Sequence, residues 1–349
     1  MPSQSPVQSQ LQLGRPPWPT LDPFLFCVHH VDHYPAGDLS MGPPPETLRG
    51  RRIGMDFEGR DGWNMYHGEA VPGFPRHPHR GFETITIARS GFIDHADSMG
   101  ATARFGEGDV QWMTAGGGVV HSEMFPLVNS VGPNPAELFQ IWINLPAADK
   151  MRPAYFTMLW RERIPVLRTR DASGHGVEVR LIAGALPGLK ALAPPPSSWA
   201  ARPESGVRVL TIRLDPGARW VLPGSAPGVN RMLYVVDGDR VRVSNPADDA
   251  AGVALQRGSG ARLHAEASAQ LQGGAAGADL LLLEGRPIGE PVVQHGPFVM
   301  NTHDEIRAAF RDYQATGFGG WPWHQDGPVH ARTSGRFAIH ADGRREEAG

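Results

Sequence analysis

"HPHRGFETITIARSGFIDHAD", residues 77–97, sets two histidines one residue apart at the head of a segment with strand-like alternation. Side chains alternate faces along a strand, so His77 and His79 share a face and Pro78 takes the other. A second pair with the same spacing, His121 and Glu123, lies in "GGGVVHSEMF". Neutral imidazoles with one carboxylate form an N3O donor set suited to Fe, Mn, Ni, Cu or Zn, and four protein donors leave positions open for a substrate. Adjacent strands of a small barrel can bring both pairs to one inner face. Glu83 complicates the choice of carboxylate: four residues beyond His79, it shares that face on an unbroken strand. Spacing alone leaves Glu83 and Glu123 both open.

The chain around this stretch has 349 residues, 40% hydrophobic and 20% charged, with a formal net charge of -3. That length suggests two domains, and the near-neutral balance gives no electrostatic reason to expect a nucleic-acid or membrane partner. Glycine (43) and proline (33) are spread along the chain, which suits short strands joined by tight turns. The single cysteine, Cys27, excludes an intramolecular disulfide, fits a reducing compartment and reads as a buried apolar residue. The N-terminal stretch lacks a basic start and apolar run, and no apolar segment reaches membrane-span length, so a cytoplasmic location is expected.

Residues 1–20 read as a disordered or draped tail. Strands are expected over 52–57, 63–68, 81–88, 91–97, 109–114 and 137–145, each bounded by Gly, Pro or Asp. The division falls near "NLPAADKMRP", giving a domain over 21–150 and a second over 151–349. A degenerate repeat links "GFETITIARSGFIDHAD" to "NRMLYVVDGDRVRVSN", both strand, glycine turn, strand; Val229, Asn230 and Arg231 lead into the second copy where the first has its histidines. One helix is expected in "NTHDEIRAAFRDYQATGFGG", capped by Asn301 or Thr302, with Ile306, Phe310 and Tyr313 on one face and Gly317 at its stop. His29, His30 and His33 with Asp32 could make a second metal site; at a loop entrance, a surface role is the preferred reading.

The blocks "HPHRGFETITIARSGFIDHADSMG", "GDVQWMTAGGGVVHSEMF" and "ELFQIWINLP" resemble the signature blocks of pirin, a member of the cupin superfamily. The likeness continues through "DPFLF", "GPFVMNT", "FGGWPW" and "GRFAIHADGR". It implies an all-β bicupin: two antiparallel β-barrel, jelly-roll domains with a short C-terminal helix and tail, and a metal in the N-terminal barrel alone. It implies His77, His79, His121 and Glu123 as ligands, which settles the carboxylate on Glu123 and leaves Glu83 a supporting role. The metal implied is iron, Fe2+ or Fe3+, with other first-row divalent ions as substitutes. The activity implied is of the quercetin 2,3-dioxygenase type, cleaving a flavonol with O2, with Glu123 also taking the substrate proton. Phe92, Trp112 and Met113, with the second barrel, are then expected to line the pocket. The alternative that the resemblance carries is a non-enzymatic, redox-sensitive regulatory protein binding a transcription factor or metabolic enzyme; a monomer is expected under either reading. Two departures stand out: the run Gly116-Gly117-Gly118, where relatives place a larger middle residue, and the N-terminal tail, which has no counterpart.

Overall fold

The computed structural model describes residues 5–348, so the first four residues of the expected tail lie outside the described region. The chain forms two compact units, each an antiparallel β-sandwich. One unit joins Val28–Glu162 to the segment from Glu290 onward; the other joins the chain up to Cys27 to Arg163–Gly289.

In the first unit, a five-stranded sheet runs in the order Tyr155–Leu159, Val110–Thr114, Phe82–Ser90, Asn134–Asn144, Phe24–Tyr34. The facing sheet has the order Arg345–Glu347, Phe337–Ile339, Thr102–Gly106, Phe92–Asp97, Val119–Met124, Gly73–His79. Ala88, Met113 and Leu138 from one sheet meet Ile93, Phe105 and Val119 from the other in a shared apolar core. This alternation of buried residues closes the sandwich, as two sheets with one apolar face each require.

In the second unit, Val7–Gln12 pairs with Ser259–Leu263 at the edge of a seven-stranded sheet that packs Val179, Leu210, Leu233 and Leu280 against Val241 and Leu271 of a four-stranded sheet. The expected draped tail is therefore corrected over these residues: backbone pairing orders a segment whose side chains offer little to bury. The boundary near 150 is corrected as well. The helix and C-terminal segment belong with the histidine-bearing unit, because Phe337–Ile339 pairs with Thr102–Gly106.

The repeat is visible as topology. Phe82–Ser90 lies between Val110–Thr114 and Asn134–Asn144, just as Asn230–Gly238 lies between Ser259–Leu263 and Ala278–Gly285. By the same correspondence the histidine strand Gly73–His79 matches Arg219–Leu222, and Val119–Met124 matches Ala269–Gly273. Their inner positions are Leu222, Ala269 and Leu271, an apolar core. Residues 229–231 are thus not the counterpart of the histidines: Arg231 occupies the next strand and is buried against Glu284 at 2.6 Å.

Residues 52–57 and 63–68 do not form strands. Asp61, Tyr66 and Gly62 take positive φ, and only isolated bridges link Asp56 to Tyr66 and Tyr66 to Gly73. The helix spans His303–Thr316, with a capping box between Thr302 and Glu305 and Gly317 in the left-handed conformation at its end. Ile306 and Ala309 are buried and Phe310 packs edge-on against Phe298 at 4.8 Å. Among the described residues, no helix is long and apolar enough to cross a membrane.

This helix explains the triple glycine. Arg80 donates to the Gly117 carbonyl at 2.8 Å and to Asp312 on the helix at 2.7 Å, with its guanidinium over the Phe318 ring. A Cβ at Gly118 would lie 2.6 Å from that ring, and its φ is +133°. Gly118→Ala is expected to cost about 1–3 kcal/mol of stability through overpacking and backbone strain, seen as a lower urea midpoint with unchanged slope.

Candidate metal centre

A short break in the chain creates the site. Gly73–His79 ends, Gly81 turns at φ +86° in a position where a Cβ would meet the Val299 carbonyl at 1.9 Å, and Phe82–Ser90 begins in the opposite sheet. Gly73–His79 pairs with Val119–Met124 so that His77 stands opposite His121, with a register irregularity between Phe74 and His77. Directly opposed residues share a face, and so do residues two apart; His77, His79, His121 and Glu123 therefore converge.

The ring centroids of His77, His79 and His121 are 4.4–4.9 Å apart, and one nitrogen from each falls within 4.8 Å of the others. Glu123 Oε2 lies 3.9 Å from His121 Nε2. His77 Nδ1 is 2.8 Å from the Pro75 carbonyl and donates to it, which leaves its Nε2 lone pair for the centre. His79 Nδ1 and both nitrogens of His121 are buried without a hydrogen-bond partner. Orphaned buried nitrogens are costly unless something else accepts their lone pairs. A metal ion does so, and this donor set fits one.

Electrostatics agree. Burial, reinforced by neighbouring histidines, lowers His77 to about 4 and holds His79 and His121 well below the usual histidine range. All three are neutral near pH 7, the form that ligates. Burial raises the Glu123 carboxyl, against the stabilising influence of His95, Gln140 and Thr86. Gln140 Nε2 donates to Glu123 Oε2 at 2.9 Å, while Thr86 Oγ1 lies 2.6 Å from Gln140 Oε1 and 3.3 Å from Glu123 Oε1. The carboxylate is thereby held in one orientation.

The other anticipated residues sit differently. Glu83 is fully buried, but it opposes Thr114 and Ile143 and accepts a hydrogen bond from Thr114 at 2.5 Å. Glu83 and Thr86 lie three apart on one strand and so take opposite faces; Thr86 faces Glu123, so Glu83 points away from it. Trp112 opposes Ile85 and shares that far face, so it does not line the site. Met113 opposes Thr84 and lies on the inner face, within the apolar core. Phe92 borders a separate cavity with Tyr34, Leu127 and Pro135.

A groove of about 990 Å³ reaches His77 and is lined besides by Met41, His67, Arg76, Met124 and His330. Its far wall comes from residues 325–331. That wall is anchored by Arg104, which is buried, pairs with both oxygens of Asp94 at 2.7 Å and donates to the carbonyls of His330, Ala331 and Ser334.

Sequence reasoning passed over Gln140, Thr86 and the His95–Asp97 pair. His95 opposes Glu123, its ring is 5.5 Å from that of His121, and its Nε2 is 3.3 Å from Asp97 Oδ2. The signals were present: Gln140 is a lone polar residue in an apolar run, and His95 and Asp97 repeat the two-residue spacing of the histidine pair.

Residues 54–143 match the pirin family, and residues 209–319 match the pirin C-terminal cupin domain. A pirin-like protein from Caulobacter vibrioides is 38% identical over 250 residues, covering 70% of this chain and 80% of its own. Pirin from Homo sapiens is 35% identical over 254 residues, covering 72% and 80%. Among solved structures, quercetin 2,3-dioxygenase from Acinetobacter baumannii superposes with a TM-score of 0.69 at 28% identity, over 91% of this chain and 99% of that one. With two matching cupin domains and relatives above one-third identity that are covered over most of their length, the chain belongs to the pirin family and has the bicupin fold.

Proposed function

We propose that this protein is an iron-dependent dioxygenase of the quercetin 2,3-dioxygenase type, with His77, His79, His121 and Glu123 holding the metal. The carrying observation is the set of orphaned, neutral imidazole nitrogens beside a fixed carboxylate, with a groove that reaches His77. The similarity to the Acinetobacter baumannii quercetin 2,3-dioxygenase supports the substrate class.

Held by His77, His79, His121 and Glu123, iron would supply Lewis-acid polarisation of a flavonol oxygen and the redox chemistry that O2 requires. The protein's own part is positioning and proton handling. The groove admits a planar aromatic ligand along Met41 and Met124, with its hydroxyl-bearing edge toward His77. Glu123 takes the proton of the flavonol 3-hydroxyl, and burial favours its protonated form once the proton arrives. Gln140 and Thr86 keep the carboxylate aimed during that transfer. Ring cleavage then consumes one O2 and releases carbon monoxide.

Iron-loaded protein is expected to bind quercetin without oxygen and leave it intact, then consume it in air with carbon monoxide release. Because the flavonol oxidises slowly by itself, His121→Ala protein is the control. Equal rates of quercetin loss in the two proteins would remove the oxygenase reading. The rival, a regulatory protein that presents different surfaces in its ferrous and ferric forms, would then be tested by a pull-down comparing the two.

A further inference from the structure

The segment "FLFCVHHVDHY" contributes no donor to the metal centre, yet the surface role expected for its His29, His30, His33 and Asp32 does not hold at Asp32. The segment forms the strand Phe24–Tyr34, and Asp32 is buried there. Tyr66 Oη donates to Asp32 Oδ2 at 2.6 Å, and His30 Nδ1 lies 2.8 Å from the same phenol oxygen. Since the phenol proton points to Asp32, His30 carries its proton on Nδ1 and donates. Asp32 Oδ1 accepts from the Asn64 backbone and side-chain amides at 2.8 and 3.1 Å.

Tyr66 is buried, and its backbone is in the left-handed region at φ 57°, an unusual state for a bulky side chain. The Asp56 backbone holds it there through two hydrogen bonds of 2.9 Å. Its ring stacks on Phe74 at 5.0 Å and 28°, with Phe125 and Phe57 edge-on. Phe74 in turn contacts His77, at 6.3 Å between ring centroids. A phenol with a carboxylate and an imidazole on its oxygen, sealed from water, thus lies one aromatic ring away from the histidine cluster.

The geometry points to Tyr66 as a redox-active tyrosine that gives up one electron to strong oxidants arising at the His77 site while its proton passes to Asp32. This rests on the reading that O2 chemistry takes place there. The oxidants meant are oxygen-derived radicals. The Tyr66 O–H bond breaks, the electron reduces the oxidant by one unit, and an O–H bond forms on Asp32 Oδ2; the phenoxyl keeps the His30 hydrogen bond. Burial and Asp32 push the phenol well above its usual range, so proton loss without electron loss is suppressed. Asp32 itself, raised to about 6 by burial, is a better proton acceptor than an exposed carboxylate. The consequence is protective, because charge leaves the histidines before they are oxidised.

The test is electron paramagnetic resonance on freeze-quenched samples in two arms. Metal-free protein is oxidised with photogenerated tris(bipyridine)ruthenium(III), and iron-loaded protein is treated with hydrogen peroxide. Wild type is expected to give a tyrosyl signal in both arms. Tyr66→Phe, which keeps the ring packing, should lose most of it. Asp32→Asn, which keeps a hydrogen-bond acceptor but takes no proton, should lower the yield. Mass spectrometry should show more oxidised histidine on the peptide holding His77 and His79 in the peroxide-treated Tyr66→Phe protein. An equal signal in wild type and Tyr66→Phe, or no tyrosyl signal in wild type with the ruthenium oxidant, overturns the proposal. A signal with ruthenium but none with iron and peroxide overturns its connection to His77. Protein that forms the signal yet leaves quercetin intact keeps the redox tyrosine and discards the oxygenase reading, so the two fail separately.

Discussion

His121→Ala protein, expressed with ample iron and purified beside the wild type, is expected to lose nearly all bound metal, whereas the wild type carries about one ion per chain. His121 adjoins each of the other donors: its ring is 4.4 Å from that of His77 and 4.9 Å from that of His79, and its Nε2 is 3.9 Å from Glu123 Oε2. Removing it leaves donors on two strands without the one that joins them. Because even changes to residues behind a ligand cost about 10–100-fold in affinity, loss of a ligand is expected to exceed that range. The fold should survive, since the apolar core that closes the sandwich is built from other residues, such as Ala88, Ile93, Phe105 and Met113. Elemental analysis and a thermal unfolding curve measured together decide the matter. Equal metal content in mutant and wild type would refute the site. His264→Ala and His303→Ala are the controls, one beyond the Ser259–Leu263 strand of the other unit and one opening the helix, and both should leave occupancy unchanged.

The histidine cluster was readable because its geometry is local. Two residues apart on a strand is one face, whatever the rest of the chain does. What failed were inferences needing a neighbour's register or a distant segment's return. Glu83 appeared to share the histidine face only on the assumption of a continuous strand, and the positive φ of Gly81 breaks it. Trp112 and Met113 are adjacent in sequence and belong to opposite faces, which pairing with Ile85 and Thr84 decides and composition does not. The groove wall from 325–331 depends on Arg104 holding carbonyls more than two hundred residues away in sequence. The same return of the C-terminal segment moved the domain boundary. Residues 63–68 have strand-like composition, but Tyr66 in the left-handed region turns the chain instead. The topological repeat, by contrast, was readable as strand, glycine turn, strand, though not the exact strand that stands where the histidines do.

Glu123→Gln and Glu83→Gln separate the two carboxylates that spacing left open. Glu123→Gln is expected to lower metal affinity by at least about 100-fold and to remove flavonol turnover, since an amide is a poor ligand and takes no proton from the substrate. Gln140 and Thr86 can still hold the new side chain near its old place, so stability should change little. Glu83→Gln should give the reverse pattern. Its carboxylate is fully buried on the far face of the Phe82–Ser90 strand, where Thr114 donates to it at 2.5 Å. Replacing this buried carboxyl by an amide disturbs that bond and costs about 1–3 kcal/mol, while the metal donors are untouched. Metal content is therefore expected to fall only in Glu123→Gln, and the urea midpoint only in Glu83→Gln. If Glu83→Gln lost the metal and Glu123→Gln kept it, the donor set proposed for the centre would be wrong, and the orphaned nitrogens of His79 and His121 would need a different partner.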